Sequence, residues 1–161
     1  MNKNTLIIVS VVVFIGLVGF VVPHMSSNFR VGGPTMHGDV VATIYKSPTC
    51  GCCGAYVSYI KKEGFDVVVK NIQDMEMIRQ KFGIPYELES CHTMEMGEYV
   101  VEGHVPEMAI QKLLTEKPDI KGIGMAGMPS GSPGMPGPKS GSFVIYEITR
   151  DGTQGDVFMT I

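Results

Sequence analysis

The feature that most narrows what this chain can fold into is a β-branched run feeding directly into a cysteine cluster and then a helix. Val40-Val41-Ala42-Thr43-Ile44-Tyr45 has the composition of a strand, and it ends at Lys46-Ser47-Pro48-Thr49. Cys50-Gly51-Cys52-Cys53 follows at once, and Ala55, Val57, Tyr59 and Ile60 then give a helix that stops at Glu63-Gly64. Phe65 to Ile72, with Val67-Val68-Val69 at its centre, reads as a second, buried strand. Two strands joined by a helix in this way pair in parallel through a right-handed crossover. Asp74 is placed to cap the next helix, which carries Met75, Ile78 and Phe82 and closes at Gly83 and Pro85.

The second half is less regular. Ser90-Cys91-His92-Thr93 precedes short strand-like pieces around a turn up to Gly103, and His104-Val105-Pro106 leads into a helix from Glu107 to about Glu116. From Gly122 to Ser142 glycine and proline dominate, which predicts an irregular loop that holds a shape only if something organises it. Phe143 to Ile148 and Val157 to Ile161 read as strands joined around Asp151-Gly152, a hairpin signal. The expected class is α/β with a thioredoxin-like layout: a central mixed sheet with flanking helices, an inserted β/helix segment and a C-terminal β-hairpin. In such a layout a cis-proline precedes the last hairpin and faces the cysteine turn. Pro129 is the candidate, with Pro133 and Pro136 as rivals and a trans proline as the alternative.

Residues 40–161 therefore form the expected domain of this 161-residue chain. Before it, the run from Leu6 to Val22 is free of charge and ends at Pro23, a length at the short end of the ~17–25 residues that cross a bilayer as a helix. Lys3 and the amino terminus keep the near end in the cytoplasm, so the domain is exported, periplasmic or on the extracytoplasmic face of the inner membrane. Residues 1–23 are read as an uncleaved anchor because no clear small-x-small site follows; a cleaved signal peptide is the alternative. Residues 24–39, with Gly32-Gly33-Pro34, read as a flexible tether. The formal net charge of -3 and the scattered lysines leave no basic stripe, which argues against a nucleic-acid partner.

Cys50 and Cys53 stand in C-x-x-C spacing at a helix start, where unpaired N–H groups and the helix dipole favour thiolate. Thiolate is both the nucleophile of disulfide exchange and a soft ligand for copper(I). Cys52 separates the two readings, since a dithiol oxidoreductase needs only an attacking and a resolving cysteine. Neighbouring positions on a helix point ~100° apart, so Cys52 and Cys53 are expected to bridge several ions rather than chelate one. Copper(I) is favoured over zinc, which prefers a closed tetrahedral site. A thiol-disulfide oxidoreductase using Cys50 and Cys53 is the alternative. Cys91 and His92 are the candidate partners of the turn, and the open alternative is a disulfide partner beside a surface histidine. His104 is either a ligand or part of the helix N-terminal region. The chain also carries 12 methionines and no tryptophan, and thioethers suit copper(I). Met94 and Met96 alternate with polar residues as core residues do, while Met128, before Pro129, is the methionine singled out as a ligand.

Four motifs in order resemble the copper-resistance family of CopG type. They are Tyr45-Lys46-Ser47-Pro48-Thr49-Cys50-Gly51-Cys52-Cys53, Ser90-Cys91-His92-Thr93, Val101-Glu102-Gly103-His104-Val105-Pro106, and Gly127-Met128-Pro129 with Gly131-Ser132-Pro133-Gly134-Met135. The resemblance covers residues 40–161. It implies an exported copper-tolerance protein that holds copper(I) in a cysteine-rich cluster and cycles copper between redox states. It carries over Cys50, Cys52, Cys53 and Cys91 as ligands, and His92, His104 and Met128 as further candidates. Copper ions, a copper-transport or redox partner protein and, through the leader, the membrane are the expected partners.

Overall fold

A computed structural model describes residues 40–161; the expected anchor and tether lie outside the described residues. Seven strands form one mixed sheet in the order β2-β1-β3-β4-β5-β6-β7. They are β1 (Val41–Lys46), β2 (Asp66–Asn71), β3 (His92–Met96), β4 (Tyr99–Glu102), β5 (Gly122–Gly124), β6 (Val144–Ile148) and β7 (Gln154–Thr160). The helices are α1 (Gly51–Lys62), α2 (Met75–Phe82) and α3 (Glu107–Glu116), with a 3-10 turn at Tyr86–Leu88. The expected α/β class is what the chain adopts. β1 pairs in parallel with β2, and β4 with β5, each pair being joined through a helix; the remaining pairings are antiparallel. Among the described residues, no helix is long and apolar enough to cross a membrane.

Local chemistry sets the helix ends. Asp74 accepts from the Glu76 N–H at 3.0 Å to cap α2, and Gly83 closes that helix in the left-handed region at φ 58°. Alternate strand residues supply opposite faces of the sheet. Val101 and Ile145 join the main core with Tyr56, Val57 and Ile60 of α1 and Ala109, Ile110 and Leu113 of α3. Val100 and Ile148 join a second cluster with Ile84 and Leu88. Helices α1 and α3 thus cover one face, and the end of α2 with the 3-10 turn covers the other.

Three expectations need correction. The strand after α1 is not buried: β2 is the outermost strand, and Val68 and Val69 are 46% and 38% exposed. Its apolar triplet fits strand geometry, and an edge position leaves it without a second neighbour to cover it. The segment read as an insertion is the middle of the sheet, since β3 and β4 lie between β1 and β5. Finally, no peptide bond is cis among the described residues, so Pro129, Pro133 and Pro136 are trans.

The strand β5 was missing from the sequence reading because Gly122-Ile123-Gly124 has almost no side chains from which to read a period. Gly122 is required by close approach: a Cβ there would lie 1.9 Å from the Val100 carbonyl oxygen on the neighbouring strand.

Candidate metal centre

Antiparallel pairing places Lys46, the last residue of β1, opposite His92, the first of β3. The cysteine turn leaves β1 at this end of the sheet, and Cys91 enters β3 at the same end. The three cysteines of the turn therefore meet one that is 38 to 41 residues away in sequence. All four sulfurs lie within 4.8 Å of one another. Cys52 Sγ is 3.4 Å from Cys50 Sγ and 3.8 Å from Cys91 Sγ, and Cys53 Sγ is 3.4 Å from Cys91 Sγ. Cys91 approaches from the strand opposite and lies within reach of both Cys52 and Cys53.

Cys50 is the N-cap of α1, and its sulfur accepts from the Cys53 N–H at 3.3 Å. Cys50 and Cys53 are joined as a disulfide, and Cys52 and Cys91 are free thiols. Burial, followed by the neighbouring Cys52, pushes the Cys91 thiol well up.

Two imidazoles complete the cluster. Cys91, His92 and His104 offer ligand atoms within 4.8 Å of one another, and both histidines are fully buried. His104 Nε2 is 3.0 Å from Cys91 Sγ, while its Nδ1 is 2.7 Å from the Pro133 carbonyl oxygen. A carbonyl only accepts, so Nδ1 carries the proton and the Nε2 lone pair of the neutral ring faces the sulfurs. His104 takes no part in capping α3, whose N-cap is Pro106. His92 Nδ1 is 3.4 Å from Cys91 Sγ, and His92 Nε2 is buried without a hydrogen-bond partner among the described residues. Burial, reinforced by His104, lowers His92 to about 3, and burial also lowers His104. Both rings are neutral, the form in which imidazole ligates metals. The unpartnered nitrogen and the soft, neutral donor set fit a thiophilic metal ion.

The surrounding shell was mostly invisible in the sequence. Tyr56 packs against His92 in a tilted arrangement at 4.4 Å between ring centroids and meets His104 edge-on at 5.5 Å; its hydroxyl donates to the Val105 carbonyl at 2.8 Å. Glu102 is fully buried, accepting from the Ser90 N–H at 2.8 Å and the Thr93 hydroxyl at 2.6 Å. Burial pushes its carboxyl up to about 7 against those two hydrogen bonds. A carboxylate beside Val100-Val101 in a buried strand was a readable signal; nothing in the sequence marked Tyr56.

The Gly-Pro loop packs against this centre. Its turns close through Ser132 N–H to Pro129 O and Met135 N–H to Ser132 O. Gly127 donates to the Glu89 carbonyl and accepts from the Ser90 hydroxyl, which ties the loop to the residues before Cys91. Met128, the next residue, is half exposed, whereas Met125, Met94 and Met96 are core residues.

A model of the family described as "Protein of unknown function, DUF411" matches residues 88–135, a stretch that holds Cys91, His92 and His104. No curated protein matches the chain. Two solved structures, titled copper resistance protein CopG forms 2 and 1, are similar to it, with TM-scores of 0.70 and 0.69. Sequence identity is 33% and 34%, over 76% and 75% of this chain and 98% and 96% of theirs. At that identity over nearly the full length of both relatives, the chain belongs to the CopG family of copper resistance proteins.

Proposed function

We propose that this protein binds copper(I) in extracytoplasmic copper handling. The observation that carries the reading is the convergence of four cysteine sulfurs within 4.8 Å beside two neutral, buried imidazoles. Thiolate and imidazole suit copper(I), and thiolates bridge such ions readily. The ligands assigned are Cys50, Cys52, Cys53 and Cys91, then His92 and His104, with Met128 as an exposed thioether at the rim. Zinc is the less favoured ion. A tetrahedral zinc site with bonds of ~2.3 Å holds its sulfurs ~3.8 Å apart, so sulfur spacing alone does not discriminate, and the similarity to two copper resistance proteins favours copper.

The proposal places residues 40–161 as a thioredoxin-like metal-binding domain outside the cytoplasm. Residues 1–23 anchor it to the membrane, or are cleaved as a signal peptide, and residues 24–39 act as the tether. It extends to copper redox cycling, in which the ion passes one electron to a partner protein.

An anaerobic copper(I) titration of the reduced chain against a high-affinity chelator, with zinc in parallel, tests the central claim. Tight uptake of more than one copper per chain is expected, and Cys52→Ser should lower that stoichiometry while circular dichroism stays unchanged. Unchanged copper uptake in the variant refutes the cluster.

The Cys50–Cys53 disulfide favours a second reading, a thiol-disulfide oxidoreductase. Under it, Cys50→Ser abolishes insulin reduction and Cys52→Ser spares it; a parent without reductase activity removes this reading.

A further inference from the structure

Resting on the copper reading above, we infer that Glu102 is a positioning residue for the metal centre, holding Cys91 and His92 in register with His104. The inference starts from a residue out of place. Tyr99, Val100 and Val101 fill the other positions of β4 with buried apolar or aromatic groups, yet the fourth is a carboxylate with no exposed surface. No ion pair holds it among the described residues. Burying an ionisable group without a charged partner is costly, and such groups persist where hydrogen bonds offset the cost.

Here the two donors bracket the ligands. Ser90, which donates its N–H to Oε1, precedes Cys91; Thr93, which donates its hydroxyl to Oε2, follows His92. One rigid carboxylate therefore clamps both ends of the Cys91-His92 pair. The backbone around Glu102 adds to the clamp: the Gly103 N–H donates to the His92 carbonyl at 3.0 Å, and the Glu102 carbonyl accepts from the Met125 N–H at 3.0 Å. His104 lies two residues further along the same chain. Glu102 thus ties the start of β3 and the end of β4, the two segments that bring donors to the helix-borne cysteines, to the start of the Gly-Pro loop. Outer partners that orient ligands commonly govern affinity by about 10–100-fold.

The test compares Glu102→Leu, Glu102→Gln and Thr93→Val in the full, reduced chain. Glutamine preserves the clamp, because its amide oxygen accepts from the Ser90 N–H while its amide nitrogen donates to the Thr93 hydroxyl. Two readouts are taken on folded protein: copper(I) affinity by chelator competition, and the alkylation rate of Cys91 in the metal-free chain by peptide mass mapping. Glu102→Leu should weaken copper(I) binding about tenfold or more and speed Cys91 alkylation, Thr93→Val should do both to a lesser degree, and Glu102→Gln should stay with the parent. If Glu102→Leu does not fold, Thr93→Val against the parent decides. Parent-like affinity and alkylation in the folded Leu or Val variants overturn the inference, as does a Gln variant as impaired as Leu. A parent that takes up no copper removes the copper reading, and the alkylation rates then judge the positioning role alone.

Discussion

The docking of the Gly-Pro loop onto the cysteine helix turns on Gly134. Its φ is 82°, and a Cβ there would lie 2.7 Å from Tyr56 N, 3.0 Å from Cys52 O and 3.0 Å from Tyr56 Cα. All three atoms are backbone of α1, so no side-chain rotation relieves the contact. Gly134→Ala carries two costs: about 1 kcal/mol for a side chain in the left-handed region, and about 1–3 kcal/mol for overpacking against fixed atoms. The sum, ~2–4 kcal/mol, lowers Tm by roughly 8–16 °C in a domain of this size. Gly141 supplies the control, since it has φ 78° and nothing within 4 Å of its Cβ position. Gly141→Ala should therefore cost only the conformational part. Denaturant unfolding of both variants against the parent, with m-values compared, measures the difference. A Gly134→Ala variant no less stable than Gly141→Ala refutes the docked loop, and with it the argument that Pro133 fixes the tautomer of His104.

Two further outcomes are expected. Tyr56→Phe keeps the ring against both imidazoles but leaves the buried Val105 carbonyl without its 2.8 Å donor; it should cost about 1–3 kcal/mol in denaturant unfolding, and a loss under about 0.5 kcal/mol contradicts the bond. Reduction of the Cys50–Cys53 disulfide takes up two electrons and two protons and yields two thiols beside the free Cys52 and Cys91. Copper capacity, measured anaerobically after removal of the reductant, should rise with the thiol count; an equal capacity before and after excludes Cys50 and Cys53 as ligands.

Periodic segments were legible and convergent ones were not. The helix from Glu107 to Glu116 and the Asp74 cap of α2 follow from apolar spacing and a side-chain acceptor placed before the first turn. The exposure of β2 depends on sheet order, which the Val67-Val68-Val69 triplet does not encode. At the site, Cys50 to Cys53 announced themselves by adjacency, and Cys91-His92 by the pairing of sulfur with imidazole. His104 was open between ligand and helix start, and the carbonyl of Pro133, 29 residues further on, settles its orientation. That carbonyl had no sequence signal, because any residue supplies one; what selects it is the fold of the Gly-Pro loop.

The donors proposed for this centre lie at the ends of regular elements or between them. Cys91 precedes β3, His104 sits between β4 and α3, and Cys50 to Cys53 occupy the cap and first turn of α1. A metal joining them would have to order those stretches at the moment of binding, an entropic cost that subtracts from affinity. The fold meets much of that cost beforehand. Glu102 clamps Cys91-His92, the Pro133 carbonyl orients His104, and Gly134 seats the loop on the turn that carries Cys52. Holding sulfurs this close has a second consequence. The spacing that would let Cys50 and Cys53 share a metal, as proposed, also lets them share a bond, and that bond removes two thiolates from the proposed donor set. Under the proposed copper binding, capacity and thiol oxidation are coupled through the same two atoms: oxidation of the pair leaves Cys52, Cys91 and the imidazoles as a smaller site, and reduction restores the full one.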